Sequence, residues 1–307
     1  MFELLGNTSI DFMRWRRYSF ALSLLFAILG LVALVQISRG AANLGIDFAV
    51  GTAVQLKFEE PVAIELIRTA LQKHGLAHVE LQGSLTENKL MIRLKAATSL
   101  EEQIADRVVI AIQQEVADNR FAVESTSEIG PSIGRKLQED ALLAIIISIA
   151  GIVTYIAFRF DLRFGVAAGL ATVHDVLAVL GLFYLLDKEM TLLVVTALLT
   201  LAGYSLTDTV VVFDRIREHL RRRRREKFEE VINSAVNQVL SRTVVVSSTV
   251  ILVLIPLTVA GGEVLHDFSL ALLLGVVIGT YSSIFVASPL LVLWPSAMSS
   301  NSARESA

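Results

Sequence analysis

Apolar residues run almost unbroken through six segments of the chain, at about 18–36, 139–158, 164–186, 190–213, 243–261 and 268–294. A helix needs about 20 mainly apolar residues to cross the hydrocarbon core of a bilayer, and each segment is of about that length. Between the first and second segments the pattern changes. GIDFAVGTAVQLKFE alternates like a strand, and PVAIELIRTALQKHG has the apolar spacing of a helix closed by Gly75. AHVELQGSLTENKLMIRLKA reads as two strands around a polar turn. SLEEQIADRVVIAIQQEVADN opens with Ser99 and Glu102 at capping-box spacing and keeps an apolar face, and RFAVEST returns to strand. The order β-α-β-β-α-β is that of a ferredoxin-like fold. The expected fold class is therefore an α-helical polytopic membrane protein with six transmembrane helices and a small α+β domain between the first two. The expected divisions are 1–42, 43–130, a five-helix bundle at 131–296 with a loop at about 215–242, and a tail at 297–307.

Composition agrees with a membrane protein. The 307 residues are 54% hydrophobic and 19% charged, with a mean hydropathy of +0.62, far from the balance of a soluble domain. Cysteine is absent, which excludes disulfides, cysteine-based zinc sites and a thiol nucleophile. No P-loop, H-E-x-x-H or G-x-S-x-G motif occurs, so the pattern offers no nucleotide motor and no hydrolase signature. No cofactor, metal or nucleic-acid partner is expected.

Charge then orients the spans. Arg14, Arg16, Arg17, Arg159, Arg163, Arg215, Arg217, the run Arg221 to Arg225, Lys227 and Arg242 all fall on one side if the six spans alternate. Basic residues mark the cytoplasmic side, which places both termini there and residues 43–130 outside. The first span reads as a retained anchor, because its apolar run exceeds a typical signal-peptide core.

Ionisable residues inside the spans are the candidate chemistry: His174 and Asp175 in the third, Asp208 in the fourth, and Asp214, Arg215 and Arg242 near the basic side. A carboxylate in hydrocarbon costs about 3 kcal/mol or more, so it neutralises, pairs or lines a watery path. At the helical rise, Asp208 sits about 9 Å in from Asp214, and His174 about 16 Å in from Arg163. Ser205, Asp208 and Val212 share a helical face that Arg215 continues, a polar track towards the cytoplasm. Arg242, at the entry of the fifth span, would reach Asp208 if those helices pack together. The alternative is that Asp208 only hydrogen-bonds Ser or Thr neighbours and holds the bundle. For His174 and Asp175 both readings stand, since adjacent residues point in different directions on a helix.

Other features read as structural. Gly165 with Gly169, and Gly275 with Gly279, form G-x-x-x-G pairs that permit close helix approach, and Pro256 interrupts the fifth span. The arginine run sets topology and meets anionic lipid. EKFEEVINSAVNQVLSR, with Phe228, Val231, Ile232, Ala235 and Val239 as its stripe, reads as an amphipathic helix along the cytoplasmic face. His74 and His78 are four apart, but Gly75 lies between them at a helix end, which favours two exposed histidines over a metal site.

GYSLTDTVVVFDRIREHL resembles the signature of the SecF family, whose usual wording is GYS-x-N-D-T-V-V-V-F-D-R-I-R-E. GIDFAVGT resembles that family's G-I-D-F-x-G-G-T, RFDLRFGVAAGLATVHDVLAVLG its third span, and SRTVVVSSTVILVLIPL the entry to its fifth. These stretches run in family order from about 45 to 290. Thr207 stands where the family has Asn, and Ala49 and Val50 replace a variable residue and a Gly. The resemblance implies a half-transporter of the resistance-nodulation-division superfamily in the bacterial inner membrane, pairing with six spans of SecD. It implies no enzyme but a proton-motive-force-driven auxiliary of protein export, acting late on polypeptides driven by SecA through the SecYEG channel. It also implies that Asp208 conducts the proton with Arg242 nearby. Readings left open are a non-conducting scaffold and a small-molecule or lipid exporter.

Overall fold

In the computed structural model, residues 8–39, 42–45, 47–48, 51–76, 79–84, 88–95, 104–116, 119–129, 131–222 and 226–293 are described. His78, the Ser99/Glu102 capping box, Ala49, Val50, Arg223 to Arg225 and the tail at 297–307 lie outside the described residues. The chain forms two compact units. One holds residues 44–142 and 189–192, the other the remaining helices.

The smaller unit is a sheet backed by two helices. Along the chain come β1 (Gly51–Phe58), α2 (Ile64–Lys73), β2 (Val79–Ser84), β3 (Lys89–Lys95), α3 (Ile104–Glu115) and β4 (Phe121–Ile129), after α1 (Arg16–Ser38) of the other unit. The strands are antiparallel in the order β2-β3-β1-β4. That is the ferredoxin-like arrangement expected from the alternating pattern. Period-2 alternation sends Val54, Leu56 and Phe58 of β1, and Leu90, Ile92 and Leu94 of β3, to the buried face. There they meet Ile67 and Leu71 of α2 and Val108 and Ile112 of α3. Gly75 ends α2 at φ +76°, a left-handed conformation that only glycine adopts without strain. His74 lies 3.9 Å from Glu115, and no metal-ligating cluster occurs among the described residues.

The larger unit carries the spans. Among the described residues, six helical stretches are long and apolar enough to cross a membrane: Met13–Ser38, Ile133–Arg159, Leu162–Leu185, Leu192–Arg222, Phe228–Ala260 and Leu265–Leu293. They comprise α1, α4 (Pro131–Arg159), α5 (Leu162–Leu185), α6 (Leu192–Arg222), α7 (Phe228–Ala260), and finally α8 (Gly262–Ser282) with α9 (Ser288–Leu293). A π-turn, Ser283–Ala287, joins the last two. The amphipathic stretch is not a separate helix: α7 runs continuously through it into the fifth span. Its stripe of Val231, Ile232, Ala235 and Val239 is buried as the 3.6-residue period requires.

Helix α5 is the centre of this unit, with Phe164 and Phe183 fully buried and Phe164 edge-on to Phe213 of α6 at 5.1 Å. Small residues let its neighbours approach. A Cβ on Gly165 would lie 3.0 Å from the Ala157 nitrogen and the Val153 carbonyl oxygen of α4, and Gly169 presses on Val153. A Cβ on Gly181 would lie 2.7 Å from the Gly30 nitrogen of α1, and a Cβ on Gly30 would strike the backbone of Leu177. Outward-facing side chains such as Phe158, Leu252 and Val259 are apolar and exposed, which suits hydrocarbon surroundings.

Candidate functional site

Polar side chains inside the bundle gather where α5, α6, α7 and the α8–π-turn junction meet. Asp175 of α5 is fully buried. Its Oδ2 accepts hydrogen bonds from Ser205 Oγ of α6 at 2.5 Å and Ser282 Oγ of α8 at 2.8 Å. Its Oδ1 lies 3.0 Å from His174 Nδ1. The adjacent pair therefore meets, although a helix separates successive side chains by about 100°. With Asp175 ionised, the imidazole donates from Nδ1, which leaves Nε2 as the acceptor nitrogen. His174 Nε2 is buried without a partner among the described residues.

One turn along α6 sits Asp208. Its Oδ1 accepts from Thr243 Oγ1 of α7 at 2.8 Å. Oδ2 is buried and has no hydrogen-bond partner among the described residues, while Ser283 of the π-turn faces the same carboxyl group. Ser283 also shares a hydrogen bond with Thr209 of α6 at 3.1 Å. Nearby, Ser247 of α7 and Thr280 of α8 lie 2.6 Å apart. Two carboxylates thus stand on one polar seam, the first satisfied on both oxygens, the second on one. A buried carboxylate oxygen without a donor is costly, and a proton or a water relieves it.

Arg242 is not the residue that bonds Asp208; its neighbour Thr243 is. One position along a helix turns the side chain by about 100°, and Arg242 instead lines an open basin with Val211, Asp214, Arg215, Gln238 and Val239. Arg215 donates through Nε to Gln238 Oε1 at 2.7 Å and pairs with Glu218. Asp214 is 4.0 Å from Arg159. Of the lining residues, Val211 lies one turn from Asp208 on α6 and Arg242 is next to Thr243 on α7.

Gly275 and Gly279 set α8 against α6. The first abuts Leu201, the second Ser205 at 3.1 Å from a would-be Cβ. Thr207 is exposed and returns its hydroxyl to the Gly203 carbonyl at 3.1 Å. Whatever an asparagine would do there, it would do on the outside of this chain.

Sequence reasoning missed Thr243, Ser282 and Ser283. A signal was present, since runs such as TYSS (280–283) are unusual in a span, but spacing along one helix does not say which helix it faces.

A family model described as protein export membrane protein SecD/SecF, C-terminal, matches residues 108–297. The protein translocase subunit SecF of Thermodesulfovibrio yellowstonii is 48% identical over 295 residues, covering 95% of this chain and 97% of the relative. That of Escherichia coli O157:H7 is 36% identical over 286 residues, covering 93% and 88%. The crystal structure of SecDF, a translocon-associated membrane protein, from Thermus thermophilus matches 96% of this chain with a TM-score of 0.80 at 36% identity. A SecDF structure in a super-membrane-facing form matches 100% with a TM-score of 0.72 at 35% identity. The chain spans 39% and 41% of those two SecDF chains.

Proposed function

The chain belongs to the SecF family of protein translocase subunits, a multi-pass membrane protein of the protein-export pathway, and we propose that with SecD it couples the proton motive force to late-stage export. The observation that carries this reading is the Asp208 carboxylate, held by Thr243 on one oxygen, without a hydrogen-bond partner among the described residues on the other, and one turn from an open basic basin. A group in that position binds and releases a proton through the basin at small geometric cost. Asp214 and Arg215 line the exit, and Arg242 stands where a shift of α7 past α6 brings its guanidinium to Asp208.

His174 and Asp175 form the second station of the relay. Asp175 ties three helices together, so its work is to hold Ser205 and Ser282 in register while His174 keeps one nitrogen open. The termini and the basin lie on the cytoplasmic side, and residues 43–130 lie in the periplasm, where they meet the emerging polypeptide. SecD supplies the other half of the bundle, consistent with the share of the SecDF chains that this chain spans. SecYEG is the channel served, and SecA the motor that precedes this step.

Inner-membrane vesicles containing SecD and the Asp208→Asn variant test the reading. Export completion is expected to lose its response to an imposed proton gradient while assembly is unchanged. If the variant exports as the parent does under a gradient, the relay is wrong and the chain is a scaffold. Arg242→Met is expected to change the pH profile of gradient-driven export, and an unchanged profile counts against its approach to Asp208.

A further inference from the structure

The basin between α6 and α7 has a volume of about 770 Å³ and is lined by six arginines: Arg159, Arg215, Arg217, Arg221, Arg222 and Arg242. Among the described residues, two carboxylates, Asp214 and Glu218, share that lining. Asp214 faces Arg159, and Glu218 is taken by Arg215 and Arg222. Arg217 turns its guanidinium over the Phe160 ring and towards the Arg159 carbonyl. Arg221 and Arg242 make no ion pair within 4.0 Å among the described residues, and Arg242 acts on the Asp208 carboxylate only at longer range. Four positive charges are therefore in excess within one concavity, more than a topology signal requires of a pocket.

Guanidinium groups present forked donors that match phosphate oxygens, and several of them around a cavity select a phosphate-bearing anion. Two features decide what carries that phosphate. The basin opens at the ends of spanning helices, the level of lipid headgroups. Next to it the surface is apolar: Phe158, adjacent to Arg159, is 88% exposed, and Val246, one turn from Arg242, is 45% exposed. A soluble phosphate has no use for such walls, whereas acyl chains do.

We propose that this basin is a binding site for the headgroup of an anionic phospholipid, with its acyl chains lying along the exposed apolar flank. The proposal does not rest on proton coupling: it stands if Asp208 proves to be purely structural.

Native mass spectrometry of the full chain in neutral detergent, titrated with phosphatidylglycerol or phosphatidylcholine, tests it. Phosphatidylglycerol is expected to be retained at least about 30-fold more strongly, and Arg221→Gln with Arg222→Gln to bring that preference down by roughly 30-fold, about 1 kcal/mol for each charge. The Arg→Lys pair at the same positions keeps the charge but not the fork and is expected to fall between the parent and the Gln pair, and melting in neutral detergent verifies that every variant is folded. Arg14→Gln with Arg17→Gln, equal in charge but outside the basin, leaves it unchanged. Equal retention of both lipids overturns the proposal, as does an equal loss in the Arg14/Arg17 pair, which would mean diffuse surface charge. Displacement of the lipid by millimolar pyrophosphate that is itself retained also overturns it, in favour of a soluble anion.

Discussion

Gly279 of α8 faces Ser205 of α6 so closely that a Cβ on the glycine would stand 3.1 Å from both Cβ and Oγ of the serine. That same Oγ donates to Asp175. The absence of one methyl group on α8 therefore fixes where α6 can place its hydroxyl, and with it the geometry at a carboxylate on a third helix.

Glycine substitutions should separate three situations. Gly279→Ala crowds a side chain and is expected to cost about 1–3 kcal/mol. Gly30→Ala should cost more, because its Cβ meets the backbone of Leu177, which has no rotamer to escape through. Gly151 has nothing within 4 Å, so Gly151→Ala should be neutral or stabilising by up to about 1 kcal/mol through helix propensity. Thermal unfolding in neutral detergent ranks the three, and a Gly30 variant as stable as Gly151→Ala would contradict the close α1–α5 contact.

Asp175 and its donors should behave as one unit. Asp175→Ala leaves the buried Ser205 hydroxyl without its acceptor and Ser282 with only the Gly279 carbonyl at 3.2 Å, and is expected to cost about 2–4 kcal/mol. In a double-mutant cycle of Asp175→Asn with Ser282→Ala, the combined loss should fall short of the sum by about 1–2 kcal/mol. Strict additivity would mean that the two residues do not share a hydrogen bond.

Thr243→Val removes the donor to Asp208 while keeping shape, at an expected cost of about 1 kcal/mol. Gradient-driven export should fall in Thr243→Val and be kept in Thr243→Ser. Equal export by the two variants would show that the hydroxyl does not serve the carboxylate.

In the smaller unit, Lys73 Nζ donates to Glu115 Oε2 at 2.7 Å, and this hydrogen bond holds the Glu115 pKa below its ordinary value of 4.5. A depressed carboxylate pKa stabilises the fold above the unfolded value and loses that contribution as pH falls through the folded one. Glu115→Gln should therefore remove a small contribution near neutrality, converge with the parent in acid, and so flatten the pH dependence of unfolding below about pH 4.5. Hydrogen exchange in α3 as a function of pH would report it, and an identical acid limb in parent and variant would exclude the contribution.

The spans and the α+β domain were legible because burial in hydrocarbon and in a sheet each impose a period that survives in the sequence. Asp208, Asp175 and His174 were legible by their cost, since an ionisable residue in a span stands out without any knowledge of its neighbours. Their partners were not. Whether Arg242 or Thr243 meets Asp208 turns on about 100° of rotation of α7, and helical spacing within α6 contains no information about that angle. The close α1–α5 contact was hidden for a related reason: Gly30 and Gly181 are single glycines on different helices, and only packing pairs them. The continuity of α7 escaped because an amphipathic run followed by an apolar one looks like two elements, although no helix-breaking residue lies between them.

The wide turn at Ser283–Ala287 also bears on how the chain can change in length. A π-turn takes one residue more than the α-turn it replaces, so the turn already absorbs one residue without changing the face on which the helix continues. Deleting one residue there and closing the turn to α-geometry would therefore leave Pro289 and Leu291 on the side they now bury. The same deletion in the regular helix on either side would rotate everything after it by about 100° and carry buried residues outwards. A deletion scan through 275–291 should reveal the turn as the stretch in which folded yield best survives the loss of one residue.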